Sequence, residues 1–135
     1  MTKRMWAYNP KKKSSTKVPD LIKAQVKSRA DALIENVLKP KYIKPPPKES
    51  DLNYLVDIFS KWHRSYFYFC SRYNCPGPRA LSPFFEDNFA RLEYVGPDLF
   101  NLSYKGHTGQ WVEIYSGLSL KDCLSEIEEG VHFMP

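Results

Sequence analysis

Apolar residues recur at every third or fourth position near both ends of this chain, and at every second position between them. The first pattern begins at Pro19, which suits a first helical turn because its missing N–H has no partner to lose there. Asp20 adds negative charge at the positive end of the helix dipole. Ile22, Val26, Ala30, Leu33 and Val37 then recur at helical spacing, widened by Leu21, Ile34 and Leu38, with Lys23, Lys27, Asp31 and Glu35 on the other side. Pro40 is expected to end this helix near Leu38. A second helix opens at Ser119 as N-cap, with Asp122 at the capping-box position, an apolar stripe of Leu120, Cys123, Leu124 and Ile127, and Gly130 at C′.

The middle of the chain alternates. In Tyr66-Phe67-Tyr68-Phe69 the side chains must point to opposite faces of a strand, phenylalanines one way and tyrosines the other. The expected strands cover roughly 52–59, 62–71, 89–95, 99–105 and 110–116. Ser60-Lys61 is read as a tight connection and 73–88 as a Pro/Gly-rich loop. Gly96-Pro97-Asp98 and Gly106-His107-Thr108-Gly109 are the turns. Connections this short favour an up-and-down order. The sequence therefore predicts an α+β fold: an N-terminal helix, a five-stranded antiparallel meander and a C-terminal helix, with the helices packed mainly on one sheet face. Lys39 to Pro47, which ends in three consecutive prolines, is read as a stiff connector in preference to a ligand for a proline-binding module.

Strand parity separates the faces. Leu52, Tyr54, Val56, Ile58, Phe67, Phe69, Ala90, Leu92, Tyr94, Phe100, Leu102, Tyr104, Val112 and Ile114 form a nearly all-apolar set that should meet the helices. The opposite set mixes aromatics with both signs of charge. It includes Leu55, Phe59, Trp62, Asn101 and Ser103. Its candidate binding residues are Asp57, Arg64, Tyr66, Tyr68, Arg91, Glu93, Trp111, Glu113 and Tyr115. Large aromatics beside a few charges suit a concave site. The competing reading is an open face whose cross-strand pairs only stabilise the sheet.

Composition adds a second feature. With 135 residues, 42% hydrophobic and 15% aromatic, one domain can bury a core. The net charge of +5 divides unevenly: residues 1–50 carry 13 Lys+Arg against 4 Asp+Glu, and residues 51–135 carry 7 against 11. The division is residues 1–17 as a basic mobile arm and 18–135 as a single α+β domain. Lys3, Arg4, Lys11, Lys12, Lys13 and Lys17 would attract an anionic partner; the plainer reading is a solubilising tail. Trp6 and Tyr8 are expected to dock on the domain body or on a partner.

Candidate chemistry is thin. No apolar run reaches the ~18 residues of a membrane span, and no apolar segment follows the charged N-terminus as in a secretory signal. With an odd number of cysteines (Cys70, Cys75, Cys123), this points to reduced thiols and a cytoplasmic protein with no membrane partner. Cys70-x4-Cys75 with His63 and His107 has loose zinc spacing and lacks a second close pair, so no metal is expected. There is no phosphate-cradling glycine loop or dinucleotide fingerprint, and no cofactor is expected. Asp57, Glu93 and Glu113 are expected to form salt bridges with Arg64 and Arg91 in preference to acid–base work. The aromatic strand lacks the glycines of an RNA recognition motif and its order of elements, although stacking of single-stranded nucleic acid on Tyr66, Tyr68, Trp111 and Tyr115 is open in principle.

The run from Phe100 to Trp111, then Tyr115, the helix opening at Ser119-Leu120 and the late Phe133 resemble a bacterial domain family of unknown function. The resemblance covers about the last third of the chain. It implies an uncharacterised intracellular bacterial protein and supplies no catalytic residues. The leading functional expectation is a non-enzymatic binding domain whose partner is a protein or an acidic polymer, nucleic acid included. A small-molecule or hydrolytic pocket on the Tyr66/Tyr68 face and a self-associating structural protein are the alternatives.

Overall fold

The computed structural model describes residues 17–48 and 51–135. Helix α1 (Asp20–Leu33) passes into a π-helical turn (Ile34–Leu38) and then a short α2 (Lys39–Tyr42). Strands β1 (Tyr54–His63), β2 (Tyr66–Asn74), β3 (Phe84–Gly96), β4 (Leu99–Lys105) and β5 (Trp111–Leu118) follow, then α3 (Leu120–Glu129). The five strands form one sheet in the order β1-β2-β3-β4-β5, each antiparallel to the next. The expected α+β meander is therefore the observed fold, and its helices share one sheet face.

The first helix runs past Pro40 instead of ending near Leu38. A proline inside a helix lacks an N–H and pushes its ring at the carbonyl four residues back. The preceding π turn widens the backbone: the Lys39 N–H donates to Ile34 O, five residues back. Both Ile34 and Leu38 stay buried through this turn. Beyond Tyr42 the chain is extended and mostly exposed through Pro45, Pro46 and Pro47, as a connector should be.

The first hairpin also differs from expectation. It turns at Arg64-Ser65, with His63 paired to Tyr66, and Ser60 and Lys61 lie inside β1. Ser60 looks like a break in sequence, but it is buried and fully engaged. Its hydroxyl donates to Asp31 Oδ1 (2.6 Å) and accepts from Lys27 Nζ (2.9 Å), both on α1. Arg64 takes the left-handed conformation that the two-residue turn demands (φ 57). Moving the turn also moves Trp62 onto the helix side. There its Nε1–H donates to Lys23 O (3.1 Å) and its ring meets Phe67 edge-on at 5.1 Å. The β2–β3 loop shrinks because β3 starts at Phe84, where Phe85 stacks on Tyr73 across the hairpin.

The core lies between the sheet and the helices. Ile58, Phe67, Phe69, Leu92, Phe100 and Leu102 meet Val26, Ala30, Ile34 and Leu38 from the first helix, Cys123 and Ile127 from α3, and Phe133 beyond it. Helix α3 is capped as its sequence implies: Ser119 Oγ accepts from the Asp122 N–H (3.1 Å), and Gly130 closes it at φ 76. A methyl added at Gly130 would also lie 2.6 Å from the Tyr42 hydroxyl. Gly130→Ala is therefore expected to destabilise by about 1–2 kcal/mol from the left-handed backbone alone. The Tyr42→Phe background should recover only the steric remainder, measured by urea unfolding of the single and double variants.

Candidate functional site

The sheet face turned away from the described helices is set by the phase of β2 and β3. Directly opposed residues share a face, so the register aligns Lys61, Tyr68, Arg91, Ser103 and Glu113 in one row and His63, Tyr66, Glu93 and Asn101 in the next. Lys105 and Trp111 face each other at one end.

This face is not an even, solvated surface. Tyr68 on β2 and Trp111 on β5 lie three strands apart, about 14 Å in a flat sheet. Their ring centroids are 5.9 Å apart, and Tyr66 lies 6.2 Å from Tyr68. The rings lean together over β3 and β4. Beneath them Ser103 is only 2% exposed. The Arg91 guanidinium carbon sits 4.7 Å from the Tyr66 ring centroid and 4.9 Å from that of Trp111. Lys105 Nζ approaches the same indole at 5.4 Å. Such contacts hold a cation through the ring quadrupole.

Arg91 is stacked, yet it makes no ion pair among the described residues. The ion pairs among the described residues go elsewhere, to Lys27–Asp31, Lys39–Glu35, Lys39–Asp57, Arg72–Glu86 and Lys105–Asp87. Arg91 Nε is buried without a hydrogen-bond acceptor. The expected bridges from Arg91 and Arg64 to Asp57, Glu93 or Glu113 are thus not among those formed. Glu93 accepts from the Asn101 amide (3.4 Å), and Glu113 accepts from the Ser116 hydroxyl (2.8 Å). Each carboxylate is held by its own neighbour. Burial, with Glu93 nearby, pushes the Tyr66 phenol up.

The structure brings together Tyr66, Tyr68, Arg91, Glu93, Trp111 and Glu113 from the expected set. Asp57 is instead drawn to Lys39 (3.2 Å) at the sheet edge, where a bulge shifts the β1 register between Leu55 and Asp57. Arg64 leaves the face for the hairpin turn. A second irregularity, between Glu113 and Tyr115, places Tyr115 opposite the buried Leu102. Tyr115 therefore turns to the helix side, where the Glu126 carboxylate on α3 raises its phenol. Lys105 was missed. Its parity with Asn101 and Ser103 is the signal that would have found it. Of the basic arm, Lys17 is exposed, while Lys3, Arg4, Lys11, Lys12, Lys13 and the aromatics Trp6 and Tyr8 lie outside the described residues.

A separate cleft of about 340 Å³ opens between β2, β3, the β4–β5 turn and the final residues, lined by Tyr73, Asp87, Lys105, His107 and His132 among others. Its most prominent charges cancel, since Lys105 Nζ lies 2.7 Å from Asp87 Oδ1. Among the described residues no cluster of three or more His, Cys, Asp or Glu is placed to hold a metal ion. The cysteines are free thiols: Cys70 and Cys123 are buried, with pKa values pushed up by burial to about 11 and about 12, so neither is an activated nucleophile. No helix among the described residues is long and apolar enough to cross a membrane.

No curated protein matches the chain, and no solved structure does. One family does match, over residues 18–135, so the likeness seen between Phe100 and Phe133 extends through nearly the whole chain. The chain belongs to that family, DUF3024, a domain of unknown function.

Proposed function

We propose that this is a non-enzymatic binding domain of the bacterial cytoplasm that engages a protein or an acidic polymer through its outer sheet face. One observation carries the reading: Arg91 is stacked between Tyr66 and Trp111, with a buried Nε that lacks an acceptor and no carboxylate partner among the described residues. A buried polar group left unpaired costs about 1–3 kcal/mol. A partner that supplies an acceptor removes that cost. The basic arm adds long-range attraction, because all of the net charge lies there: residues 1–16 hold five cations and no acid, against a chain total of +5.

The test is a heteronuclear NMR titration of the full chain with oligo(dT) and, separately, with poly-glutamate. At least one probe is expected to shift the Arg91 Nε–H and Trp111 indole signals. The Trp62 indole, hydrogen-bonded beneath α1, should stay in place and serves as the internal control. If neither probe moves the outer-face signals at low salt, the reading is wrong.

A further inference from the structure

Resting on that outer-face reading, we propose that the partner is single-stranded nucleic acid, with a phosphate received by Arg91 and bases stacked on Trp111 and Tyr68. The argument is the mismatch each other partner would leave. An apolar protein surface would cover the rings and bury the Arg91 charge without a counter-charge, which is strongly unfavourable. An acidic peptide would answer Arg91 and leave the rings of Tyr66, Tyr68 and Trp111 with nothing flat to meet. A nucleotide chain alternates planar bases with anionic groups, and this face sets Arg91, which has no ion pair among the described residues, among the rings of Tyr66, Tyr68 and Trp111, 4.9 Å from the Trp111 centroid. Arginine is suited to the phosphate because its planar fork can donate two parallel bonds while its face stays stacked. Aromatic platforms flanked by cations are the general solution for unpaired bases. A duplex hides its base faces and cannot use such a platform.

The flanking acids define the footprint. Glu113 shares the row of Arg91, and Glu93 lies in the next. A phosphate track across the face would meet both, so the anion is confined near Arg91 and the contact is short. Removing one acid should strengthen binding.

The experiment measures binding of the full chain to a labelled 12-nucleotide oligo(dT), to its duplex with oligo(dA), to an abasic oligomer of equal length and to poly-glutamate. Oligo(dT) is expected to bind tightest. Trp111→Ala should weaken it roughly 5- to 150-fold, the usual range for loss of one stacked base. Arg91→Lys keeps the charge but loses the two-pronged phosphate contact, so it should weaken oligo(dT) and the abasic oligomer alike, whereas Trp111→Ala should weaken oligo(dT) more than the abasic oligomer. Glu113→Gln should raise affinity for oligo(dT). Thermal melts of each variant separate loss of contact from loss of fold. Abasic and thymidine oligomers binding equally, or a folded Trp111→Ala variant binding as wild type, would overturn the nucleic-acid assignment. If poly-glutamate still shifts Arg91 and Trp111, the broader outer-face reading survives that result; if no probe shifts them, both fall together.

Discussion

Phe67→Ala is expected to destabilise the domain by about 3–5 kcal/mol, whereas Tyr68→Ala, one residue along the same strand, should cost less than half as much. Phe67 is fully buried, with Trp62 at 5.1 Å on one side and Phe69 at 5.6 Å on the other, both edge-on. Its removal forfeits transfer energy and leaves a cavity that the sheet backbone cannot close, because its strand pairs on both sides. Tyr68 points to the outer face, where water can follow the truncated side chain. In thermal melts the difference should be on the order of 10 °C or more for a chain of this size. Urea midpoints at unchanged slope would confirm that the effect is on stability. Equal losses at the two positions would mean that the outer face is as tightly closed as the core, and that its rings are not available to a partner.

The second large effect is alkaline. Burial raises the Cys70 thiol from 9.0 to about 11 and the Cys123 thiol from 9.0 to about 12. Both thiols are neutral in the fold at a pH where the unfolded chain has already released its protons. The native state then binds more protons, so stability decreases as pH rises. The contribution is fully present below pH 9. It is lost from pH 9 to about 11 for Cys70 and to about 12 for Cys123, at up to about 1.4 kcal/mol per pH unit for each thiol. Tyr66 and Tyr73 are also raised by burial and act in the same direction at higher pH. Urea midpoints should be level from pH 7 to 8.5 and fall steeply above pH 9. Cys123→Ala should make that fall shallower while lowering stability at pH 7 by the loss of a small buried side chain. A pH profile unchanged by Cys123→Ala would show that its thiol does not titrate differently in the two states.

Much of the scaffold was legible because its signals are local. The Tyr66–Phe69 alternation, the Ser119 cap and the Gly130 stop each rest on steric and hydrogen-bonding rules that act within a few residues. All are present in the structure. The misreadings share one kind of cause. Ser60 reads as a turn residue in the sequence because its partners in the strand, Lys27 and Asp31, lie about thirty residues away. Pro40 reads as a helix end because the π turn that accommodates it leaves no periodicity in the sequence. Six of the nine candidate face residues were legible for a related reason. Parity holds within a strand until a bulge intervenes, and the irregularity beside Tyr115 redirects that residue, whereas Asp57 keeps the parity of Phe59 and Lys61 and is drawn off the face by Lys39 at the sheet edge.

The sequence by itself determined the order of elements, the direction of Phe67 and Phe69 toward the helices, and the concentration of net positive charge before residue 17. Each follows from neighbours along the chain. Only the tertiary structure decided that Arg91 is enclosed by Tyr66 and Trp111 and lacks a carboxylate partner among the described residues. Those rings belong to β2 and β5, strands that no periodicity relates, and their meeting over β3 and β4 depends on how the sheet curves and where its side chains lean.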